Sequence, residues 1–485
     1  MNTPVRRVAL AVMALMALLL ANMTYIQVVM ADELRNDPNN KRTLYEEAGR
    51  QRGQIIVDGS PLALSTPSND RWKFQRSYPK GAPFATVTGY FGITLGSTDL
   101  EYAGNDVLSG SAPSLIGARL SDLITGRDPR GGALDLTIKA KVQQAAYDGL
   151  AAKGLKGSVV AIDPNNGEIL AMVSTPSFDP NALASHDLKS AGNRYQELID
   201  DTKNKPLLNR AIRETYPPGS TFKLVVAAAA LKDGKDKDTP VTTAPSVNYP
   251  GSNTPLFNFG NTACGTGKLI DALASSCNTA FAELADQVGK DKLREQAKAF
   301  GIGEQDWEIP MKPVASTLGD ISDRGALYRA GIGQADVRLT PLQNAVIAAT
   351  IANDGQRMAP HLIKRTLDPD LSSEVDATGS KRVKSAMSSS DVAKLKEMMI
   401  ASEQHSGGQQ IQGVTVASKT GTAEHGEHPR ETPPHGWYVA FAPAEKPTVA
   451  IAVIVEDGGD RGLNATGASI ARPIGLATMR AALGR

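Results

Sequence analysis

Apolar and polar positions divide the chain into three regimes. Behind Arg6 and Arg7, an unbroken apolar run from Val8 to Ala21 continues to Ala31, interrupted only by Asn22, Thr24 and Gln27. About twenty such residues in a helix span a bilayer core, and paired arginines ahead of them favour a cytoplasmic N-terminus. A cleaved signal peptide shares the charged start and short apolar core. No clean small-x-small site follows here, so the pattern reads as an uncleaved anchor, residues 1–31, with Tyr25 near its outer edge and the rest of the chain outside.

From Asp32 to about residue 133 the chain is polar and rich in Gly, Ser, Asp and Pro, with short strand-like runs at Gln54–Val57 and Ala85–Thr88. It predicts a small β-containing domain without a long amphipathic helix. The pattern changes at Leu134. Residues 134–156 read as a connecting strand, Leu134–Ile138, and a helix over Lys139–Lys153 with Val142, Ala145, Ala146 and Leu150 on one side. Residues 157–485 form the third regime. A hairpin is predicted from Gly157–Asp163 and Glu168–Val173 around the turn Pro164–Gly167, and a second from Trp437–Phe441 and Thr448–Val455. Helical spacing covers Thr221–Lys232, Ala280–Phe300 and Pro341–Asn353, while Asp368–Ser390 reads as an exposed connection. Strands at both ends with helices between predict an α+β domain: one antiparallel sheet, covered by helices and closed by pairing the first strands with the last.

Composition narrows the function classes. The 485 residues are 41% hydrophobic and 21% charged, which fits folded domains and not a disordered chain. With 52 basic against 51 acidic residues the net charge is +1, so no overall field attracts nucleic acid. Two cysteines exclude a four-cysteine zinc site.

Three short segments carry chemistry. Tyr216-Pro217-Pro218-Gly219-Ser220-Thr221-Phe222-Lys223 precedes an apolar run to Leu231. The prolines and glycine force a turn, so a helix starts near Ser220, whose hydroxyl sits where free N–H groups favour negative charge. Lys223 lies three residues on, on the same helical face, and an apolar helix body favours its neutral, basic form. Ser-x-x-Lys alone also describes a helix cap and a surface lysine; Ser77-Tyr78-Pro79-Lys80 has that spacing but no following helix. The second segment is Ser276-Cys277-Asn278, between two helical stretches, where a hydroxyl can relay protons and a carboxamide can hold an amide; a helix cap is the plainer reading. Ser246-Val247-Asn248 repeats it in a Pro/Gly-rich loop. The third is Lys419-Thr420-Gly421-Thr422 on a β-like run, where Gly421 lets a substrate backbone approach and Lys419 with the threonines can bind a carboxylate.

In this order and on these elements, Ser-x-x-Lys, Ser-x-Asn and Lys-Thr-Gly resemble the motif set of penicillin-binding proteins and serine β-lactamases. Arg52–Ile55, Gly157–Asn181, Gly331–Gln334 with Thr340–Gln343, and Lys419–Glu424 extend the resemblance over nearly the whole chain, to class B penicillin-binding proteins of the compact actinobacterial A type. It implies a penicillin-binding transpeptidase domain over residues 157–485, a non-catalytic, dimerisation-like pedestal over 32–133, and a membrane anchor. It also implies cross-linking of peptidoglycan stem peptides ending in D-Ala-D-Ala. Ser220 is then the nucleophile and Lys223 its base; Ser276 with Lys419 passes the proton to the leaving amine, and Asn278 holds the donor amide. The N–H groups of Ser220 and Thr422 form the oxyanion hole, Thr420 and Thr422 bind the terminal carboxylate beside Gly421, and β-lactams acylate Ser220. The middle residue of Ser-x-Asn is Cys277, and outside the cell it is expected to pair with Cys264, thirteen positions earlier, a loop worth around 3 kcal/mol on the chain-entropy model; two buried free thiols are the alternative.

No cofactor or metal is expected. Gly265–Leu269 lacks the leading glycine and the hydroxyl residue of a phosphate loop, and His425, His428 and His435, beside Glu424 and Glu427, read as exposed loop residues. The resemblance implies a polytopic membrane glycosyltransferase and division or elongation proteins as partners. A D,D-carboxypeptidase, a β-lactamase and a non-catalytic assembly scaffold are the rival functions; no Glu-x-x-Leu-Asn segment follows Ser276 to position a deacylating water.

Overall fold

The computed structural model describes residues 3–30, 34, 49–304, 307, 309–429 and 431–485, so Ala31 and most of Asp32–Ala48 lie outside the described residues. The apolar N-terminal run forms helix α1 (Thr3–Thr24), continued by a wider turn at Tyr25–Val29. Every side chain in it faces outward, and Thr3–Val29 is long and apolar enough to cross a membrane.

The polar region builds a mixed sheet. Strands β1 (Ile55–Val57), β2 (Ser60–Pro67) and β3 (Phe74–Ser77) are antiparallel neighbours, and β1 also pairs in parallel with β4 (Ala133–Leu136). The expected strand at Ala85–Thr88 is instead one helical turn. Its four residues are all buried and follow a 3₁₀ turn containing Pro83, so tertiary burial overrides their β-branched preference. A nine-residue amphipathic helix, α2 (Ile116–Ile124), stands where none was expected.

Arg52, Arg76 and Glu101 hold this domain together. The Glu101 carboxylate, fully buried, accepts hydrogen bonds from Arg52 Nε at 2.6 Å, Arg76 Nε at 2.7 Å and the Tyr78 hydroxyl at 3.0 Å. Burial alone raises its pKa, but the two guanidiniums outweigh that and hold it below the usual carboxylate value.

The sheet does not end where composition changes. Strand Ile363–Leu367 pairs antiparallel with β4, and Glu374–Ala377 pairs with Ile363–Leu367 at the edge, so the segment read as an exposed connection supplies a strand here while keeping most side chains in water. The second sheet has the expected closure. Strands β5 (Gly157–Ile162), β6 (Ile169–Thr175), β7 (Ala417–Ala423), β8 (His435–Ala442) and β9 (Val449–Val455) run in the order β7-β8-β9-β5-β6, with Ala450 opposite Ile162 and Val455 opposite Gly157. Alternate residues feed two cores. Val160, Ile162, Val439 and Ala452 meet helices α3 (Lys223–Lys232) and Pro341–Ala352. Val159, Ala161, Ile451 and Val453 meet Val142, Ala146 and Leu150 of Ala140–Ala151 and Ile474 and Met479 of Arg472–Ala482. Burial on both faces explains why β5, β6, β9 and most of β8 read as continuous apolar runs, unlike the edge strand β7. The helix expected over Ala280–Phe300 is two, α4 (Asn278–Val288) and Lys290–Ala299, separated by Gly289 at φ 85°.

Replacing Glu101 with Gln strands two buried guanidiniums without a counter-charge, a loss of about 3–5 kcal/mol. Urea unfolding of the full chain measures it, and a change below about 1 kcal/mol contradicts the assignment.

Candidate active site

The sheet's free edge is β7, and the turn carrying Ser220 packs against it. Gly219–Phe222 form a 3₁₀ turn that leads directly into α3. Three contacts fix it from behind: Gly219 N–H donates to Gly333 O at 2.9 Å, Trp437 Nε1–H to Pro217 O at 3.0 Å, and the Tyr216 hydroxyl to Glu456 at 2.7 Å. Two glycines make the close approach possible. A Cβ on Gly219, which sits at φ 52°, would lie 2.9 Å from Thr422 O; one on Gly421 would lie 3.0 Å from Thr221 Cγ2 and 3.1 Å from Pro218 O.

Lys223 begins α3 and is fully buried. Its Nζ donates to Ser276 O at 2.7 Å, Ser276 Oγ at 3.3 Å and Asn278 Oδ1 at 2.8 Å, and lies 5.6 Å from the Phe281 ring centre. No carboxylate is among these partners. Burial first, and then the Lys419 charge, push its pKa well below the ordinary lysine value. Lys419, buried in β7, donates to Thr420 O at 2.8 Å, and burial pushes it down to about 7. The three segments therefore meet in one cleft.

Ser276 is held at φ 60°, a left-handed conformation uncommon for serine and frequent at functional sites. Its loop is tied down twice. Cys264 and Cys277 are joined by a disulfide, with Cα atoms 5.7 Å apart. Asn258, which sequence reasoning missed, is buried and accepts from the N–H groups of Asn278 at 2.9 Å and Thr279 at 3.0 Å, capping α4 from another part of the chain. Its amide donates to Ala244 O at 2.8 Å and Thr262 O at 3.0 Å. The hairpin of Ser246–Asn248 and Pro255–Phe257, read as an unrelated loop, delivers it.

Strand alternation puts Lys419 and Gly421 on the pleat face turned to the Ser220 turn, and Thr420 and Thr422, half-buried, on the other. The carbonyl of Thr422 points at Gly219, and in an extended strand the N–H of the same residue points the same way, so the free edge presents Thr422 N–H to the cleft. Behind β7, Glu403 accepts from Ser418 Oγ at 2.5 Å, the Tyr438 hydroxyl at 2.9 Å and Arg472, a buried network that sequence alone did not disclose.

The Ser77 decoy lies at the end of β3, paired opposite Leu64. His435 is not an exposed loop residue: it starts β8, buried, with its ring stacked 3.7 Å from that of His425 and Asp457 beside both. His435 Nδ1 accepts from Asp457 N–H, and His425 Nε2 donates to Pro433 O.

A serine turn, a buried amine and an edge strand lie together in this arrangement, and the chain belongs to the penicillin-binding protein transpeptidase family. It matches the penicillin binding protein transpeptidase domain over residues 157–480 and the penicillin binding protein A dimerisation domain over 52–134. It is similar to the peptidoglycan D,D-transpeptidase PbpA of Mycolicibacterium smegmatis, at 52% identity over 100% of this chain and 99% of the relative. PbpA of Mycobacterium tuberculosis is 48% identical over the same shares. Among solved structures, penicillin-binding protein A from M. tuberculosis as its ceftriaxone acyl-enzyme superposes with a TM-score of 0.88 at 48% identity, covering 90% of this chain and 100% of that one. Its penicillin G acyl-enzyme gives 0.86, with the same identity and coverage.

Asn258→Ala leaves two α4 N–H groups uncapped and frees the Ser276 loop. Acylation by a fluorescent penicillin is expected to slow by about ten- to a hundred-fold while circular dichroism shows a retained fold; a rate within twofold of the native chain refutes the positioning role.

Proposed function

We propose that the cleft is a serine-type peptidoglycan D,D-transpeptidase site. The observation that carries this reading is the buried Lys223 amine, one helical turn from Ser220 and free of any carboxylate partner. Neutral Lys223 takes the Ser220 hydroxyl proton as Oγ attacks the carbonyl of the penultimate D-alanine. The N–H groups of Ser220 and Thr422 hold the oxyanion, each such donor worth about 3–4 kcal/mol in acyl transfer. The peptide C–N bond breaks, and the proton returns through Ser276, with Lys419 close by, to the leaving D-alanine amine.

The acyl-enzyme then loses its acyl group to the amine of a second stem peptide, and the amine proton goes back by way of Lys223 to Ser220. Asn278 positions the donor amide, and the donor backbone lies along the free edge of β7. Lys419, with a pKa of about 7, retains enough charge at neutral pH to bind the terminal carboxylate, which Thr420 and Thr422 meet from the opposite pleat face around the free strand edge. A β-lactam follows the first half of this path, its ring amide in place of the D-Ala-D-Ala bond, and stays on Ser220 because no Glu-x-x-Leu-Asn segment follows Ser276 to direct water at the ester.

In the same reading Thr3–Val29 spans the membrane with Arg6 and Arg7 inside and the catalytic domain outside, and residues 32–133 form its pedestal. Glycan strands come from a separate membrane polymerase.

The full chain is expected to label with a fluorescent penicillin, Ser77→Ala to label equally, and Ser220→Ala not at all. Labelling that survives in Ser220→Ala removes the proposed nucleophile, and a native chain that never labels supports a scaffold instead.

A further inference from the structure

Helix α2 is built inside out. Its acidic side chain, Asp122, is buried and ion-paired with Arg130 at 3.0 Å. Ile116, Leu120, Leu123 and Ile124 are 69%, 58%, 60% and 78% exposed. At 100° per residue these four side chains fall within an arc of roughly 100°, one continuous apolar face. Leu371, 40% exposed, extends the patch, because Arg130 also holds Asp370 at 2.7 Å. Soluble surfaces rarely expose so much contiguous apolar area without a partner.

Three observations choose the occupant. The incoming chain docks beside this helix: Gly131 N–H donates to Gln51 O at 3.0 Å and Gly53 N–H to Leu108 O at 2.8 Å, so the segment arriving from α1 is bonded to both arms that lead into and out of α2. Fully extended, the chain between Val29 and Gln51 reaches at most roughly 75 Å, which keeps this end of the domain near whatever surface holds α1. Arg127 follows the apolar face and is exposed, whereas Arg119 is half-buried with Nη2 donating to Ser111 O at 2.9 Å, and the exposed acids beside the patch are paired, Asp128 with Lys73 at 3.8 Å and Asp370 with Arg130 at 2.7 Å. An apolar face that ends on an exposed arginine, its neighbouring acids paired, suits an anionic lipid surface. Nine residues are too few to span a bilayer.

We propose that Ile116–Ile124 is an interfacial helix that lies in the plane of the outer leaflet, its four apolar side chains among the acyl chains and Arg127 at the phosphates. The domain is then held at two points, α1 and α2, and its orientation relative to the membrane is fixed more closely than by one point alone. This rests on reading Thr3–Val29 as a membrane span.

The test uses the full chain in nanodiscs containing phosphatidylglycerol. Both native cysteines are in the disulfide, so Leu120→Cys, Leu15→Cys in α1 and Asp291→Cys on the distal domain can each be labelled with an environment-sensitive fluorophore. At Leu120→Cys the emission is expected to shift blue and to be quenched severalfold by nitroxide-bearing lipids, as at Leu15→Cys, with Asp291→Cys unaffected. Adding Leu123→Glu should lower that quenching at least twofold. Quenching at Leu15→Cys with a water-like, unquenched signal at Leu120→Cys overturns the interfacial helix and leaves the anchor standing. An unquenched Leu15→Cys overturns both. A blue shift at Leu120→Cys that lipid nitroxides do not quench, and that grows with protein per disc, assigns the face to a second copy and also overturns the proposal.

Discussion

The site depends on a lysine amine held in a dry interior without an anion beside it. No anion pairs with Lys223 among the described residues: its partners are a carbonyl, a hydroxyl and a carboxamide oxygen, and a second buried lysine stands nearby. Removal from water disfavours the charged form, and Lys419 adds repulsion. In the proposed reading a base is thereby obtained from a residue that is ordinarily an acid at neutral pH, and the helix that desolvates it also presents the serine. The two lysines are distinguished by the same physics. Lys223 feels burial and a like charge, whereas burial alone sets Lys419 near neutrality, so one amine can accept a proton while the other still offers a cation to a carboxylate.

Such an arrangement requires rigidity, because three segments spread over about 200 positions of the chain must stay together. The sheet supplies it by pairing β9 with β5, which places the edge strand β7 on a scaffold buried on both faces. Glu403 and Arg472 brace β7 from behind, and the disulfide and Asn258 brace the Ser276 loop. Gly219 and Gly421 then remove the side chains that would keep the serine turn and the edge strand apart.

Much of this was legible in the chain itself. The segments carrying Ser220, Lys223, Ser276, Asn278 and Lys419 could be picked out because their spacing is local, set along a helix start, a loop and a strand. Most strands of the second sheet were visible as apolar runs, since burial on both faces leaves no alternation to obscure. What stayed hidden depends on contacts distant in sequence. Asn258 looks like any loop asparagine until it meets α4, and Glu403 like any helix glutamate until Ser418, Tyr438 and Arg472 surround it. Ala85–Thr88 has β-branched residues but no partner strand, so it coils. Ile363–Leu367 carries no mark that its neighbour is β4, more than 220 positions earlier. His435 was misjudged because the strand begins two residues before its first large apolar side chain, Trp437.

The protonation state of Lys223 tests the account most directly. Selective isotope labelling of lysine, with Lys223→Arg to assign the signal, allows the Nζ resonance to be titrated by NMR in the unacylated chain. The account predicts a titration well below the ordinary lysine value of about 10.4, leaving a neutral amine at neutral pH. A resonance that stays ammonium-like up to that value would contradict it, because a charged Lys223 cannot take the proton of Ser220.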